Sequence, residues 1–286
     1  MKIVIIGGGS IGLSLFYHIK KIGVHPVFCL RRKHDFECFN ISCKSYKDKF
    51  DLSGEDLDDF EYFDLIINTV KSYDLKNSLN QYFDLYDKSK MALFIQNGLG
   101  IDEIIESVFP YLNYERGLIT FGANLKDNNL NFFSGKLILS SRFYKILNFI
   151  NSDEISIVSS ADIKKEIVNK FITNCVINPL TVLFQCKNNM ILSKELDLLR
   201  KRLFNEVVIF VNKLGLEFSI TLEEIEHIAN SGNVSSMLQD YLANKKLELD
   251  YLNGYIIKNA ENFSIDISLN NLICCLILDR LKKMRF

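Results

Sequence analysis

Residues 2–23 read KIVIIGGGSIGLSLFYHIKKIG, and this stretch decides the fold of the first half of the chain. The apolar run Lys2–Ile6 predicts a buried strand, and Ile11–Lys21 carries apolar residues at helical spacing. Between them Gly7, Gly9 and Gly12 stand in the order G-x-G-x-x-G. That order suits a tight turn at Gly7, backbone access at Gly9 and a close helix–strand approach at Gly12. The amides of the helix start, at Ser10 and Ile11, then face a pyrophosphate. Strand, turn and helix together predict dinucleotide binding. A purely structural turn in an α/β domain whose cofactor has been lost is the competing reading.

A chain of 286 residues with 48% hydrophobic content is long enough for two domains, each with its own core. Lys+Arg 34 against Asp+Glu 35 leaves a net charge of −1, which argues against long-range attraction to nucleic acid or a membrane surface. The first strand candidate starts at Lys2, so no leader segment is expected, and no apolar run reads as a membrane span. The seven cysteines form an odd set without C-x-x-C spacing, so structural disulfides and a metal site are not expected. Cys274 and Cys275, within LNNLICCLILDRL, are expected to fill core space. A cytoplasmic protein is the expectation.

Strand candidates continue at Val27–Leu30, Leu65–Thr69, Met91–Ile95 and Gly117–Phe121, giving an α/β rhythm. Lys33–Phe63 is polar and irregular. NNLNFF, a Ser-Gly turn and KLILSS predict a hairpin near the end of the first half. Helical periodicity then takes over at Asp162–Ile177, Glu195–Leu214, Ser235–Asn262 and Ser268–Lys283, with a break or kink expected near Asn178 because of Pro179. The fold expected is an α/β Rossmann-like N-terminal domain, residues 1–160, followed by an all-helical C-terminal domain, residues 161–286.

An NADH-binding chain usually carries an acidic residue at the end of the second strand, where it holds the ribose diol. Here that place reads FCLRRKHD, with Arg31 and Arg32 directly after Leu30 and the first acid only at Asp35. Guanidinium groups there attract a 2′-phosphate, so NADPH is the expected cofactor and Arg31 the expected contact. A solvated turn is the bland alternative for both arginines.

Ligands in open parallel sheets bind beyond the carboxyl ends of strands, which is where Lys71 in TVKSYD and Asn97 in QNGLG fall. Asn97-Gly98 can present its amide to a ribose or a substrate, or be an ordinary turn. Lys71 can equally be a solvated loop lysine. In DIKKEIVNKFITNCVINPL, Lys170, Asn174 and Asn178 recur every four residues, so they share one helical face bordered by apolar positions. Such a stripe suits a wet cleft or a solvated surface. Met237, Tyr241, Leu252 and Tyr255 read as an apolar stripe along one long helix with Glu248 in line. A carboxylate there needs a cationic partner or a polar ligand, unless it pairs with Lys245 at the surface.

The strings GGGSIG, TVKS, QNGLG, NKFITNCVINPLT, NVSSMLQD and LELDYLNGYIIKNA, in this order over essentially the whole chain, resemble the ketopantoate reductase family. The resemblance implies NADPH-dependent reduction of 2-dehydropantoate to pantoate, on the route to pantothenate and coenzyme A. It also implies a site in a cleft between a Rossmann domain and a helical one. By the same resemblance, Lys170 takes the place of the general acid, and Asn97, Asn174 and Asn178 those of substrate-contacting asparagines. Asn233 and Ser236 take further substrate positions, Glu248 a catalytic glutamate, and Lys71 and Arg31 cofactor positions. Asn97 also falls among the cofactor contacts, with Gly7, Gly9, Ser10, Ile11 and Gly12. Ser10 stands where relatives commonly have alanine, and Gln96 where they can carry histidine. Leu125–Ser140 is the least familiar stretch and leaves room for a different substrate.

These residue types suit the chemistry. Hydride addition to a ketone builds negative charge on oxygen, and an ammonium such as that of Lys170 stabilises it and delivers the proton. Amides fix a carboxylate without changing charge. No metal is required. An NADPH-dependent reductase of another 2-keto acid or an imine is the nearest alternative, and a non-catalytic nucleotide sensor is one of another class. The chain's partner is expected to be a small-molecule 2-keto acid. Apolar positions on the C-terminal helices could support a homodimer or could equally pack within the second domain.

Overall fold

Four consecutive apolar residues leave neither face of the first strand fit for water. In the computed structural model, which describes residues 1–29, 38–43, 47–52 and 61–283, Ile3–Ile6 form β1 with all four side chains buried. α1 (Ser10–Lys21), β2 (Val27–Cys29), β3 (Cys38–Ser42), β4 (Lys47–Asp51) and β5 (Leu65–Asn68) follow. Next come α2 (Leu75–Gln81), α3 (Phe83–Asp87), β6 (Ala92–Phe94), α4 (Ile101–Val108) and β7 (Tyr114–Arg116). Strands in the order β2-β1-β5-β6-β7 make a five-stranded sheet whose pairings are all parallel. A sheet covered on both faces needs strands apolar on both faces, and β1, β5 and β6 are buried throughout. Chain order reverses between β1 and β5, the switch point at which such sheets open a crevice for ligands.

The remainder of the first unit comprises β8 (Leu118–Ile119), β9 (Gly122–Lys126), β10 (Asn129–Phe133), β11 (Gly135–Ser140), α5 (Ser141–Leu147) and β12 (Ile155–Ser160). These strands form two smaller sheets, β4-β3-β10-β9 and β12-β11-β8. Two expectations are corrected here. The strand expected at Gly117–Phe121 forms only at Leu118–Ile119 and pairs with β11, while the last strand of the parallel sheet is Tyr114–Arg116, whose polar residues are tolerated at a half-exposed edge. The Ser-Gly step is not a hairpin turn either, because β11 leaves the sheet of β10 to lie parallel to β12. The hairpin turns instead at Asp127 (φ 48°) and Asn128 (φ 61°), and joins β9 to β10. Two consecutive left-handed residues are what a two-residue hairpin loop requires. The irregular span Lys33–Phe63 contributes β3 and β4, while Arg31 and Arg32 lie outside the described residues.

The second unit holds α6 (Ile163–Phe184), α7 (Asp197–Lys213), α8 (Leu222–Ala229), α9 (Ser236–Leu242), α10 (Asn253–Ala260) and α11 (Ser268–Lys283). By contact density the chain divides into Met1–Gln96 with Ile101–Ile163, and Lys164–Phe286 with Asn97–Gly100. Each unit has its own core: Ile5, Leu15, Phe16, Leu65 and Leu93 in the first, Phe171, Leu203, Phe210, Ile256 and Ile277 in the second.

α6 runs 22 residues through Pro179 with no break, where a break or kink is expected from the sequence. Proline removes the amide that would bond to the Cys175 carbonyl one turn earlier. Asn253 replaces it, donating from Nδ2 to Cys175 O at 2.9 Å and to Asn270 Oδ1 at 2.8 Å. Asn270 in turn donates to Glu206 Oε2 at 2.7 Å, and the same carboxylate takes the backbone amides of Leu269 and Asn270 at the start of α11. A side chain thus supplies the bond the proline cannot.

α6 is also, by length and composition, apolar enough to cross a bilayer, contrary to the sequence expectation, yet 72% of its most apolar window is buried inside the protein. Its hydrophobicity serves the core of the helical unit. The expected helix Ser235–Asn262 is likewise two helices. α9 stops at Ala243, where Asn244 turns left-handed (φ 53°) and the amides of Asn244 and Lys245 return to the carbonyls of Tyr241 and Asp240. This is the two-bond termination usual with glycine, here made by asparagine. Cys274 is buried, as expected, but Cys275 is exposed.

Candidate active site

In the first unit the chain leaves β1 through Gly7, whose φ of +117° a side chain rarely adopts, and enters α1 at Ser10. A Cβ at Gly7 would stand 2.6 Å from Thr69 Oγ1, and one at Gly12 would collide with the carbonyl of Gly7. Thr69, directly after β5, donates its hydroxyl towards the carbonyls of Ile6 and Gly7, both at 3.0 Å. The turn is therefore held from the switch-point side. Gly9 differs: its backbone is extended, φ −79° and ψ 174°, and an added Cβ would meet nothing within 4 Å. Neither conformation nor packing demands glycine there, and the bare backbone is open to close approach.

Among the described residues α1 has no side-chain cap and no acidic residue in its first turn, which leaves the positive end of the helix suited to an anion. These features fit a dinucleotide pyrophosphate at Gly7, Gly9, Ser10, Ile11 and Gly12. Lys71 is half-buried and precedes the short 3₁₀ turn Ser72–Asp74 at the carboxyl end of β5, on the same edge as the glycine turn. Arg31 is outside the described residues.

In the second unit Lys170, Asn174 and Asn178 lie one turn apart on α6, and burial deepens along the face. Lys170 and Asn174 are half-buried, and Asn178 is buried. The carbonyl of Asn178 accepts the Thr181 hydroxyl at 2.9 Å, and Thr181 Oγ1 lies 2.7 Å from Ser235 Oγ. Ser235 also caps α9 by accepting the Leu238 amide. The start of α9, with Ser236 exposed as its first residue, is thereby tied to the Asn178 end of α6.

Asn233 is exposed, and its carbonyl accepts the amide of Asn188 at 2.9 Å. The sequence reading passed over Asn188, which is buried with its side-chain oxygen unpaired among the described residues. A polar atom kept dry without a partner is costly, and its neighbour Asn233 makes it a ligand-facing candidate. Nothing in the run CKNN separates it from a loop asparagine.

Glu248 does not sit on a helical stripe, as expected, but in the turn between α9 and α10. It is nevertheless buried, 6% exposed, and accepts from Asn97 Nδ2 at 3.3 Å across 151 positions of sequence. Asn97 reaches it because Gly98 (φ +91°) lies against the Tyr251 carbonyl, where no Cβ would fit, and the Leu99 amide donates to that carbonyl at 3.0 Å. The structure thus assembles Lys170, Asn174 and Asn178 on one helix and brings the Asn97 amide against Glu248. No cluster of metal-binding side chains occurs among the described residues.

Two family models match the chain: "Ketopantoate reductase PanE/ApbA" over residues 3–139 and "Ketopantoate reductase PanE/ApbA C terminal" over residues 162–280. Among curated proteins, 2-dehydropantoate 2-reductase of Pyrococcus abyssi is 28% identical, with 97% of each chain covered. That of Vibrio cholerae is 23% identical over 95% of each. Among solved structures, a PanE/ApbA family ketopantoate reductase from Ralstonia eutropha JMP134 superposes with a TM-score of 0.84 at 18% identity, and both chains are covered in full. A D-mandelate dehydrogenase with NADH and anilino(oxo)acetate gives 0.86 at 19% identity, again over both whole chains. At such identities the structures establish the fold, a Rossmann-like unit followed by a helical one. With family models matching each of its halves, the chain belongs to the ketopantoate reductase (PanE/ApbA) family.

Proposed function

We propose that the chain reduces 2-dehydropantoate to pantoate with NADPH, on the route to pantothenate and coenzyme A. The observation that carries this reading is the Asn97–Glu248 pair. A buried carboxylate needs donors, and an amide supplies one while a substrate hydroxyl can supply another. The reduced nicotinamide supplies the hydride. Lys170 stabilises the oxyanion and gives it a proton from Nζ. Asn174 and Asn178 orient the substrate with neutral amides, as do the Asn233 amide and the Ser236 hydroxyl near the start of α9. Glu248 accepts a substrate hydroxyl. The glycine turn, Ser10, Ile11 and Lys71 hold the dinucleotide, and Asn97 serves cofactor and substrate.

The deciding assay is NADPH oxidation by the purified protein with 2-dehydropantoate, beside pyruvate and other branched 2-keto acids. Faster turnover of one of those controls would favour the second reading, a reductase of another 2-keto acid. The unfamiliar stretch Leu125–Ser140 and the fold shared with a D-mandelate dehydrogenase speak for it.

Two variants sharpen the test. Glu248→Gln keeps the shape but loses the charge, and should lower kcat/KM for the keto acid by about 10–100-fold, the worth of a hydrogen bond to a charged group. Thermal unfolding should shift little; a large loss of stability with normal kinetic constants would make Glu248 a structural residue. Arg31→Ala should raise KM for NADPH by roughly tenfold or more and leave that for NADH nearly unchanged, because only NADPH carries the 2′-phosphate. Equal effects on the two cofactors would remove Arg31 from the phosphate site.

A further inference from the structure

Arg116 ends β7 with its side chain 6% exposed. One terminal nitrogen, Nη2, donates to the carbonyl of Gln96 at 2.8 Å, and the other, Nη1, to Asp102 Oδ2 at 3.1 Å. Gln96 is the residue before the segment Asn97–Gly100, and Asp102 lies in the first turn of α4 just after it. One guanidinium therefore grips both ends of the segment that carries Asn97. Its partners are themselves held. Gln96 Nε2 lies 2.7 Å from Asn68 Oδ1 and 3.1 Å from the carbonyls of Asn68 and Val70. Asp102 takes the Tyr114 hydroxyl at 3.1 Å.

The side-chain type matters. A guanidinium offers donors in a fixed planar fork, so it can serve a carbonyl and a carboxylate at once in set directions; an ammonium is a point donor on a flexible stem. Burial pulls the Arg116 guanidinium down from its ordinary value and Asp102 beside it acts the other way, but arginine keeps its charge in proteins. A buried charge spent on two ends of one short segment is a costly device if the segment only has to connect β6 to α4.

We propose that Arg116 is a positioning residue for the reductase, fixing the ends of the Asn97–Gly100 segment so that Asn97 is presented to Glu248. The proposal rests on the functional reading above and extends it to a side chain whose hydrogen bonds go to the two ends of that segment. Asn68 and Gln96 are the second layer of the same support.

The test uses the full-length protein and the variants Arg116→Met, Arg116→Lys and Asp102→Asn. Amide hydrogen exchange at Leu99, whose N–H bonds to the Tyr251 carbonyl, reports the order of the segment. Ile5 in β1 and Ile67 in β5 serve as internal controls. Exchange at Leu99 should quicken at least tenfold in Arg116→Met while the controls hold, and less in Arg116→Lys.

In parallel, KM for 2-dehydropantoate should rise and kcat fall in Arg116→Met, together lowering kcat/KM by about tenfold to a hundredfold, the scale of a misplacement near 1 Å. The NADPH dissociation constant should rise by less than KM for 2-dehydropantoate, because Asn97 is one cofactor contact among several and the glycine turn is untouched. Unchanged Leu99 exchange in Arg116→Met overturns the proposal, as does a loss of protection equal at Leu99, Ile5 and Ile67. If Arg116→Met does not fold, the same comparison is made between Arg116→Lys, Asp102→Asn and the unmodified chain. Turnover of 2-dehydropantoate by the unmodified chain judges the functional reading separately. If it is absent while Leu99 still responds to Arg116, that reading falls and the positioning role stands.

Discussion

Lys170→Ala is expected to lose reduction by about 10²–10⁴-fold while binding NADPH as the unmodified chain does, the range a general acid contributes. The ketone oxygen gains a full negative charge as hydride arrives, so a group acting on that oxygen is felt chiefly in the chemical step. Lys170 is half-buried on α6, one turn from Asn174, with Ile167 and Phe171 buried beside it. Half-burial keeps the ammonium in reach of ligand while limiting competition from water. The same charge attracts the substrate carboxylate, so KM should rise too. Fluorescence titration measures the cofactor, and single-turnover kinetics the hydride step. Near-normal transfer at saturating substrate would exclude Lys170 as the acid and turn attention to Lys71.

The second large effect is on stability. Asn253→Ala should destabilise the helical unit by roughly 2–6 kcal/mol, because it leaves two buried acceptors at about 1–3 kcal/mol each. Those acceptors are the Cys175 carbonyl and Asn270 Oδ1. Tm should fall by on the order of 10 °C. Pro179→Ala alone should be nearly silent, since Asn253 already serves the carbonyl. Added to Asn253→Ala, it returns an amide to Cys175 and should recover part of the loss. A double variant no more stable than Asn253→Ala would show that the proline's missing amide is not what Asn253 answers. Circular dichroism melts on the four proteins decide it.

What could be read from the sequence was what depends on near neighbours. The glycine turn joins β1 directly to α1, and its spacing displays it even though Thr69, which closes over it, lies far along the chain. α11 coincides with the expected Ser268–Lys283, and its buried positions Asn270, Ile273, Cys274 and Ile277 keep helical period. Pro179 misled because the donor that excuses it lies far along the chain, at Asn253. Ser235–Asn262 misled because apolar spacing continues across Asn244, and only backbone geometry shows that this asparagine turns left-handed.

Two turn-like steps, Asp127-Asn128 and Ser134-Gly135, compete in the same stretch, and pairing partners distant in sequence choose between them. α8 was legible and missed. Thr221 and Glu224 form a reciprocal capping box, with Thr-Leu-Glu-Glu opening the helix in plain view. At the site, Lys170, Asn174 and Asn178 could be placed on one face by counting alone. Neither the Asn97–Glu248 contact nor the buried oxygen of Asn188 leaves any local trace.

Asn97–Gly100 belongs by its contacts to the helical unit, though the chain on either side of it belongs to the other. A genetic segment starting near residue 164 therefore encodes most of that unit but not the asparagine that meets Glu248, nor the backbone that bonds to Tyr251. Recombination that swapped the C-terminal half between related reductases would pair each new Glu248 with the old host's Asn97 segment. Exchange of substrate preference by shuffling whole halves is thus constrained by four residues encoded more than sixty codons upstream of the crossover. The unit of folding and the unit of inheritance are offset, and compatible exchange must carry both pieces.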